Sequence, residues 1–133
     1  MTFIETFINQ VQPLSDNALA LFKSIVTKKS FSKNDVFVSS GSLPSKFYLL
    51  KQGIARSFTV DHKGKEHIRT LFTPITTSGS LAALIKKEPS RSTYDCLTDC
   101  EFLEGDYYKF IELTKINHEL ALFHVKILEA VFF

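Results

Sequence analysis

From residue 30 to residue 77 the chain is cut into short pieces by turn-forming residues, and this constrains the fold more than any other feature of the sequence. Asn34-Asp35, Gly41, Pro44, Gly53 and Gly64 stand between runs rich in Phe, Val, Ile and Thr. Such runs are too short for helices, and their β-branched and aromatic content predicts strands joined by tight turns. The clearest hairpin joins residues 54–60 to residues 65–72 through Asp61-His62-Lys63-Gly64, with apolar residues alternating along both arms. The glycine at its tip supplies the positive φ that a tight turn requires. Residues 92–97 and 100–104 read as the last two strands. Short strands at this spacing, with no long helix between them, predict a sandwich, jelly roll or closed barrel rather than an α/β sheet.

Helical patterns flank the strands, so the class is mainly β with helices at both ends. Phe3, Ile4, Phe7, Ile8 and Val11 share one helical face before Pro13 interrupts it. Ser15 is placed to cap a second helix, whose stripe of Ala18, Leu19, Phe22, Ile25 and Val26 extends to Lys28-Lys29. Beyond the strands, Asp106 can cap a helix over residues 107–115, and Asn117 starts a final one. Leu120, Phe123, Ile127, Leu128 and Val131 form its apolar stripe, and the sequence closes on Phe132-Phe133. An apolar helix end in water predicts a partner against it and a natural chain that continues past Phe133. The organisation is one domain of 133 residues, with N-terminal helices over 1–29, a β-roll over 30–106 and C-terminal helices over 107–133.

Composition narrows the function classes. Sixteen Lys and Arg against fourteen Asp and Glu leave a net charge of +2, with no long run of one sign, so the sequence carries no nucleic-acid footprint. No apolar stretch reaches the roughly eighteen residues of a membrane span, and no basic-then-apolar leader opens the chain. We therefore expect a cytoplasmic protein without membrane contact. Thirteen phenylalanines spread along the chain are expected to fill the core. Cys96 and Cys100 have no further thiol to complete a metal set and read as buried free thiols. His118 and His124, six apart on the last helix, fall on different faces and read as surface or interface groups. No nucleophile with a paired base is visible, so no catalytic residues are assigned and an enzyme is not expected.

One segment does not read as scaffold. Thr77-Ser78-Gly79-Ser80-Leu81-Ala82-Ala83 sets a glycine and small hydroxyl residues before a short apolar turn, and Pro89-Ser90-Arg91-Ser92-Thr93 follows closely. Backbone N–H groups, hydroxyls and an arginine together suit an anion such as phosphate. The ligand-binding set read here is Gly79, Ser80, Leu81, Arg91, Ser92 and Thr93. Lys86 and Lys87 read as a solvated polar face.

Several landmarks fall in a familiar order. Asn34-Asp35-Val36-Phe37-Val38 with Gly41, then Phe47-Tyr48-Leu49-Leu50-Lys51-Gln52-Gly53, then Gly64-Lys65-Glu66, then Gly79 with Arg91-Ser92 resemble the cyclic-nucleotide-binding domain of the Crp/Fnr family of bacterial transcription regulators. Leu14-Ser15, Pro89-Ser90-Arg91 and Leu97-Thr98-Asp99-Cys100-Glu101 resemble the Bacteroidetes branch of that family. The resemblance implies a double-stranded β-helix, or jelly roll, with a C-terminal helix that pairs two subunits. It implies a cyclic phosphate clamped by Arg91, Ser92 and backbone amides, the change being passed to the dimer helix. A homodimer through Leu120, Phe123, Ile127 and Val131 follows, with a small anionic effector such as a cyclic nucleotide and no resident cofactor or metal. Cyclic-nucleotide binders of the family carry a glutamate where this chain has Ser80, and serine is too short to make the same charge-assisted bond to a ribose hydroxyl. The family's helix-turn-helix has no residues here to form it, so this chain alone is not expected to read DNA.

Two other classes stay open at this stage. One is an interaction module with the same fold and dimer helix but no ligand, Ser80 marking a decayed pocket. The other is a cupin-like metalloenzyme, which needs two histidines one residue apart and a carboxylate; His62, Glu66 and His67 do not supply that spacing.

Overall fold

The structure, a computed structural model, describes residues 2–132, so Phe133 and the side chain of Phe132 fall outside the description. The described chain forms two compact units, one of helices from both ends of the sequence and one of strands over residues 27–105.

In the helical unit, α1 (Phe3–Val11) opens with a reciprocal cap that the apolar pattern does not reveal. Thr2 Oγ1 accepts from the Glu5 amide at 3.3 Å, and the Glu5 carboxylate accepts from the Thr2 amide at 3.4 Å. α2 (Asp16–Lys23) is capped by Ser15, as its sequence predicts. It stops at Lys23, earlier than the stripe through Val26 suggests. The β-branched residues Ile25, Val26 and Thr27 prefer an extended backbone, and Val26 already begins a strand. α4 (Tyr107–Ile116) is capped by Asp106, whose carboxylate accepts from the Lys109 amide at 3.1 Å. Asn117 Oδ1 accepts from the Leu120 amide at 3.0 Å and opens α5 (His118–Phe132). Phe22 meets Phe110 and Phe123 edge-on at 5.9 and 5.7 Å, and Phe7 meets Phe123 at 6.3 Å. Glu119 fixes the start of α2 by accepting from both the amide and the hydroxyl of Ser15 at 2.9 and 2.5 Å.

The β unit consists of two four-stranded sheets. In chain order the strands are β1 (Val26–Phe31), β2 (Val36–Val38), β3 (Lys46–Gln52), β4 (Ala55–Val60), β5 (Glu66–Phe72), β6 (Thr76–Ser78), β7 (Thr93–Cys96) and β8 (Cys100–Asp106). One sheet has the order β1-β8-β3-β6 and the other β2-β7-β4-β5. β2 pairs with β7, β3 with β6, and β4 with both β5 and β7, all antiparallel. This is the antiparallel β architecture with flanking helices that the turn spacing predicts. The residues between the sheets include Val38, Tyr48, Leu50, Ala55, Cys96, Cys100 and Phe102, with Phe31, Phe37, Phe72 and Tyr94 packed against them. Phenylalanines thus fill both cores, as their even spread suggests. Two glycines are required by close approach. At Gly53, φ is +101° and a Cβ would strike the Asp99 carbonyl and the Cys100 sulfur; at Gly105 a Cβ would enter the Phe47 ring.

Candidate functional site

The cassette connects β6 to β7. Gly79 turns the chain at φ +113°, and Leu81–Lys86 forms the short helix α3, held down by buried Ala83 and Leu84. Lys87 ends α3 in the left-handed region at φ 55°, and the Glu88 amide returns to the Ala83 carbonyl at 3.1 Å. The returning loop is tied to the turn after β2. Ser90 is buried, its amide donating to the Ser42 carbonyl and its own carbonyl accepting from the Gly41 amide, both at 2.8 Å. The Ser90 hydroxyl donates to the Ser92 carbonyl at 2.7 Å, and the Ser40 hydroxyl donates to the Arg91 carbonyl at 3.3 Å. Backbone anchors on both sides of Arg91 therefore fix where its side chain leaves the surface.

These elements surround a cavity of about 150 Å³ lined by Ser80, Ala82, Lys86, Glu88, Arg91 and Ser92, among others. Three of the six predicted ligand residues, Ser80, Arg91 and Ser92, thus share one depression. Gly79 shapes the turn instead, and the Leu81 amide is directed to the Gly79 carbonyl at 3.2 Å. Thr93 Oγ1 accepts from the Ser40 amide at 3.2 Å. Arg91 is exposed, and no carboxylate pairs with its guanidinium among the described residues.

Three residues not included in the predicted set belong to this environment. Lys86, read as part of a solvated face, lines the cavity, and so does Glu88. Tyr94 stands behind the cassette, near enough to Ser80 to feel its hydroxyl and stacked on Phe72 at 6.0 Å. Burial pushes the Tyr94 phenol above its ordinary range, against the smaller opposing effect of the Ser80 hydroxyl, so it stays a neutral hydroxyl. Its alternation in the strand after Arg91-Ser92 was the available signal. Deeper in the roll, burial and then the Glu104 carboxylate raise the Tyr48 phenol as well. The buried Ser78 hydroxyl, one residue before Gly79, has no hydrogen-bond partner among the described residues.

The four residues of the predicted dimer stripe are placed unequally. Leu120 and Phe123 have no exposed surface and belong to the helical core of their own chain; Ile127 is half-buried and Val131 is 48% exposed. Leu120 and Phe123 are thus unavailable to a partner in this conformation, because Phe7 and Phe22 already cover Phe123. Among the described side chains, the large apolar ones that α5 exposes are Leu122, Val125 and Val131.

Cys96 and Cys100 are buried and unbridged, and burial followed by the neighbouring Cys100 pushes the Cys96 thiol up to about 12. His62 is exposed, while His67 Nε2 lies 2.9 Å from the Asp61 carboxylate at the hairpin tip. Among the described residues no three His, Cys, Asp or Glu converge as a metal site. Among them, too, no helix is long and apolar enough to cross a membrane.

Two antiparallel sheets with flanking helices, interrupted by a glycine-led short helix with an arginine after it, make up the fold of this chain. Residues 28–117 match the family model of the cyclic nucleotide-binding domain, and the chain belongs to that family. Among solved structures, a cyclic nucleotide-binding domain from Methylobacillus flagellatus superposes with a TM-score of 0.86 at 10% identity, covering 98% of this chain and 74% of its own. The sensor domain of the transcriptional regulator DNR from Pseudomonas aeruginosa gives 0.79 at 15% identity, covering 96% of this chain and 85% of its own. The Thermus thermophilus catabolite activator protein gives 0.76 at 18% identity over 91% of this chain, which spans 56% of that protein. No curated protein sequence matches the chain. The likeness to these regulators is one of fold.

Proposed function

We propose that this chain is the ligand-sensing and dimerisation domain of a Crp/Fnr-like transcription regulator, a non-enzymatic cytoplasmic protein whose effector is an anionic phosphate ester. The observation that carries this reading is the unpaired Arg91 guanidinium, anchored beside Ser92, Ser80 and Lys86 around one cavity. Lys86 and Arg91 against Glu88 leave one positive charge there, which matches a singly charged cyclic phosphodiester. Arginine suits this role because its fixed fork of donors fits phosphate oxygens in pairs. The match of residues 28–117 to the cyclic nucleotide-binding domain family supports this reading. Two buried cysteines without a bridge support the cytoplasmic assignment.

The dimer belongs to the same reading, with a revised seam. Ala121, Val125 and Leu128 follow a four-three spacing along α5, and Val125 is 47% exposed. A two-helix seam on this side leaves Leu120 and Phe123 in their own core.

A ligand-free interaction module is favoured by one specific observation, the short neutral Ser80 where the family resemblance implies a glutamate. Thermal denaturation with cyclic mononucleotides, cyclic dinucleotides, sulfate and phosphate separates the two. A ligand that binds only the folded state raises the melting temperature by mass action. Our reading predicts a rise with a cyclic nucleotide that is lost in Arg91→Ala. No rise with any probe would establish the ligand-free module.

A further inference from the structure

An arginine outside the cassette is held toward the same end of the roll. Along β4, Ala55 and Ser57 are buried, and Ser57 lies opposite Tyr94, which packs on the core. Alternation therefore puts Thr59 on the inward face and Arg56, Phe58 and Val60 on the outward one, Phe58 being buried there beneath Arg56. The Arg56 guanidinium over the Phe58 ring, 4.1 Å from its centroid, agrees with that assignment. The β4–β5 register shifts between Ser57↔Thr70 and Phe58↔Ile68, which leaves Arg69 as the extra residue of a β-bulge. A bulge bends the strand and re-aims the side chain it carries. Here Arg69 Nε donates to Thr59 Oγ1 at 3.1 Å, which directs the side chain along the inward side.

The register also fixes where this arginine arrives. The β4–β7 ladder ends at Phe58↔Thr93, so one further step sets Thr59 level with Ser92, on strands about 4.8 Å apart. Thr59 thus holds Arg69 beside the point where Arg91-Ser92 enter β7. Arg69 is exposed, and no carboxylate pairs with it among the described residues. At the hairpin tip, the Asp61 carboxylate is already engaged by His67 Nε2 at 2.9 Å. The cavity charge already balances one phosphodiester, so Arg69 is a cation in excess.

We propose that Arg69 is a second anion-binding residue of the cassette, and that the ligand carries two phosphodiester groups, one held by Arg91 and the other by Arg69. This rests on the phosphate-ester reading of the cassette. Equilibrium titration of the full chain with a cyclic mononucleotide and with cyclic dinucleotides tests it. The wild type should bind a cyclic dinucleotide at least about tenfold more tightly than the mononucleotide. Arg69→Gln should remove that preference without changing mononucleotide binding or the ligand-free melting temperature, and Arg91→Ala should abolish both. Thr59→Val, which frees the Arg69 stem but keeps its charge, should weaken the preference in part. Equal affinities in the wild type, or a preference that survives Arg69→Gln while Arg91→Ala abolishes binding, would overturn the role of Arg69 and leave the cassette reading standing. No binding by the wild type, or binding indifferent to Arg91→Ala, would remove the cassette reading and this inference with it.

Discussion

His124 sits on α5 among Tyr107 and Phe110, with Nε2 at 3.1 Å from the Tyr107 hydroxyl and its ring 5.4 Å from that of Phe110. Spacing from His118 alone suggested a surface or interface group, because the sequence does not show which face α4 covers. Burial lowers its pKa below the ordinary 6.5. The unfolded chain therefore binds the proton more readily than the folded one, and stability is greatest above about pH 6.5 and falls as pH drops below it. The carboxylates of Asp61 and Glu119, held low by His67 and by Ser15 respectively, act in a separate window, since their stabilisation is lost only as pH falls through the carboxylate range. Melting temperatures at about pH 7.5 and 5.5 should thus differ, and the difference should shrink in His124→Gln, which keeps a polar partner for Tyr107. An undiminished difference in the variant would assign the effect elsewhere.

Elements differ in how plainly they announce themselves. The β4–β5 hairpin, the caps at Ser15, Asp106 and Asn117, and the existence of the last two strands follow from local chemistry, whereas the sequence does not show that β7 and β8 enter different sheets. β1 was hidden, because the apolar positions of Ile25 and Val26 fit a helical stripe as well as a strand. The bulge at Arg69 was hidden too, since a one-residue slip in pairing leaves no mark on a single strand. α5 shows the same limit in another form. Periodicity finds its apolar residues but not which of two stripes is covered at home, and the aromatic cluster around Phe123 decides that. For the seam through Val125, Val125→Asp should convert a dimer to a monomer in sedimentation equilibrium. An exposed site predicts a stability change within about 0.5 kcal/mol. A wild type that is monomeric, or a variant that stays dimeric, would contradict this seam.

At the scale of the whole molecule, the family and class were legible because turn spacing and the ordered landmarks around Gly53, Gly79 and Arg91 are properties of sequence. The site was legible in part. Arg91, Ser92 and Ser80 were marked by residue type, whereas Lys86, Glu88 and Tyr94 enter through the turn of α3 and the pairing of β7, which only folding sets. The family resemblance implies a ribose-binding glutamate where this chain has Ser80, so the proposed reading rests recognition on the phosphate. Backbone amide spectra of the isotope-labelled chain, recorded with and without a cyclic nucleotide, test that claim most directly. The predicted result is shifts concentrated at residues 79–83 and 90–93, absent in Arg91→Ala. Saturating nucleotide that moves no cassette amide, or moves the same amides in the variant, would contradict the claim.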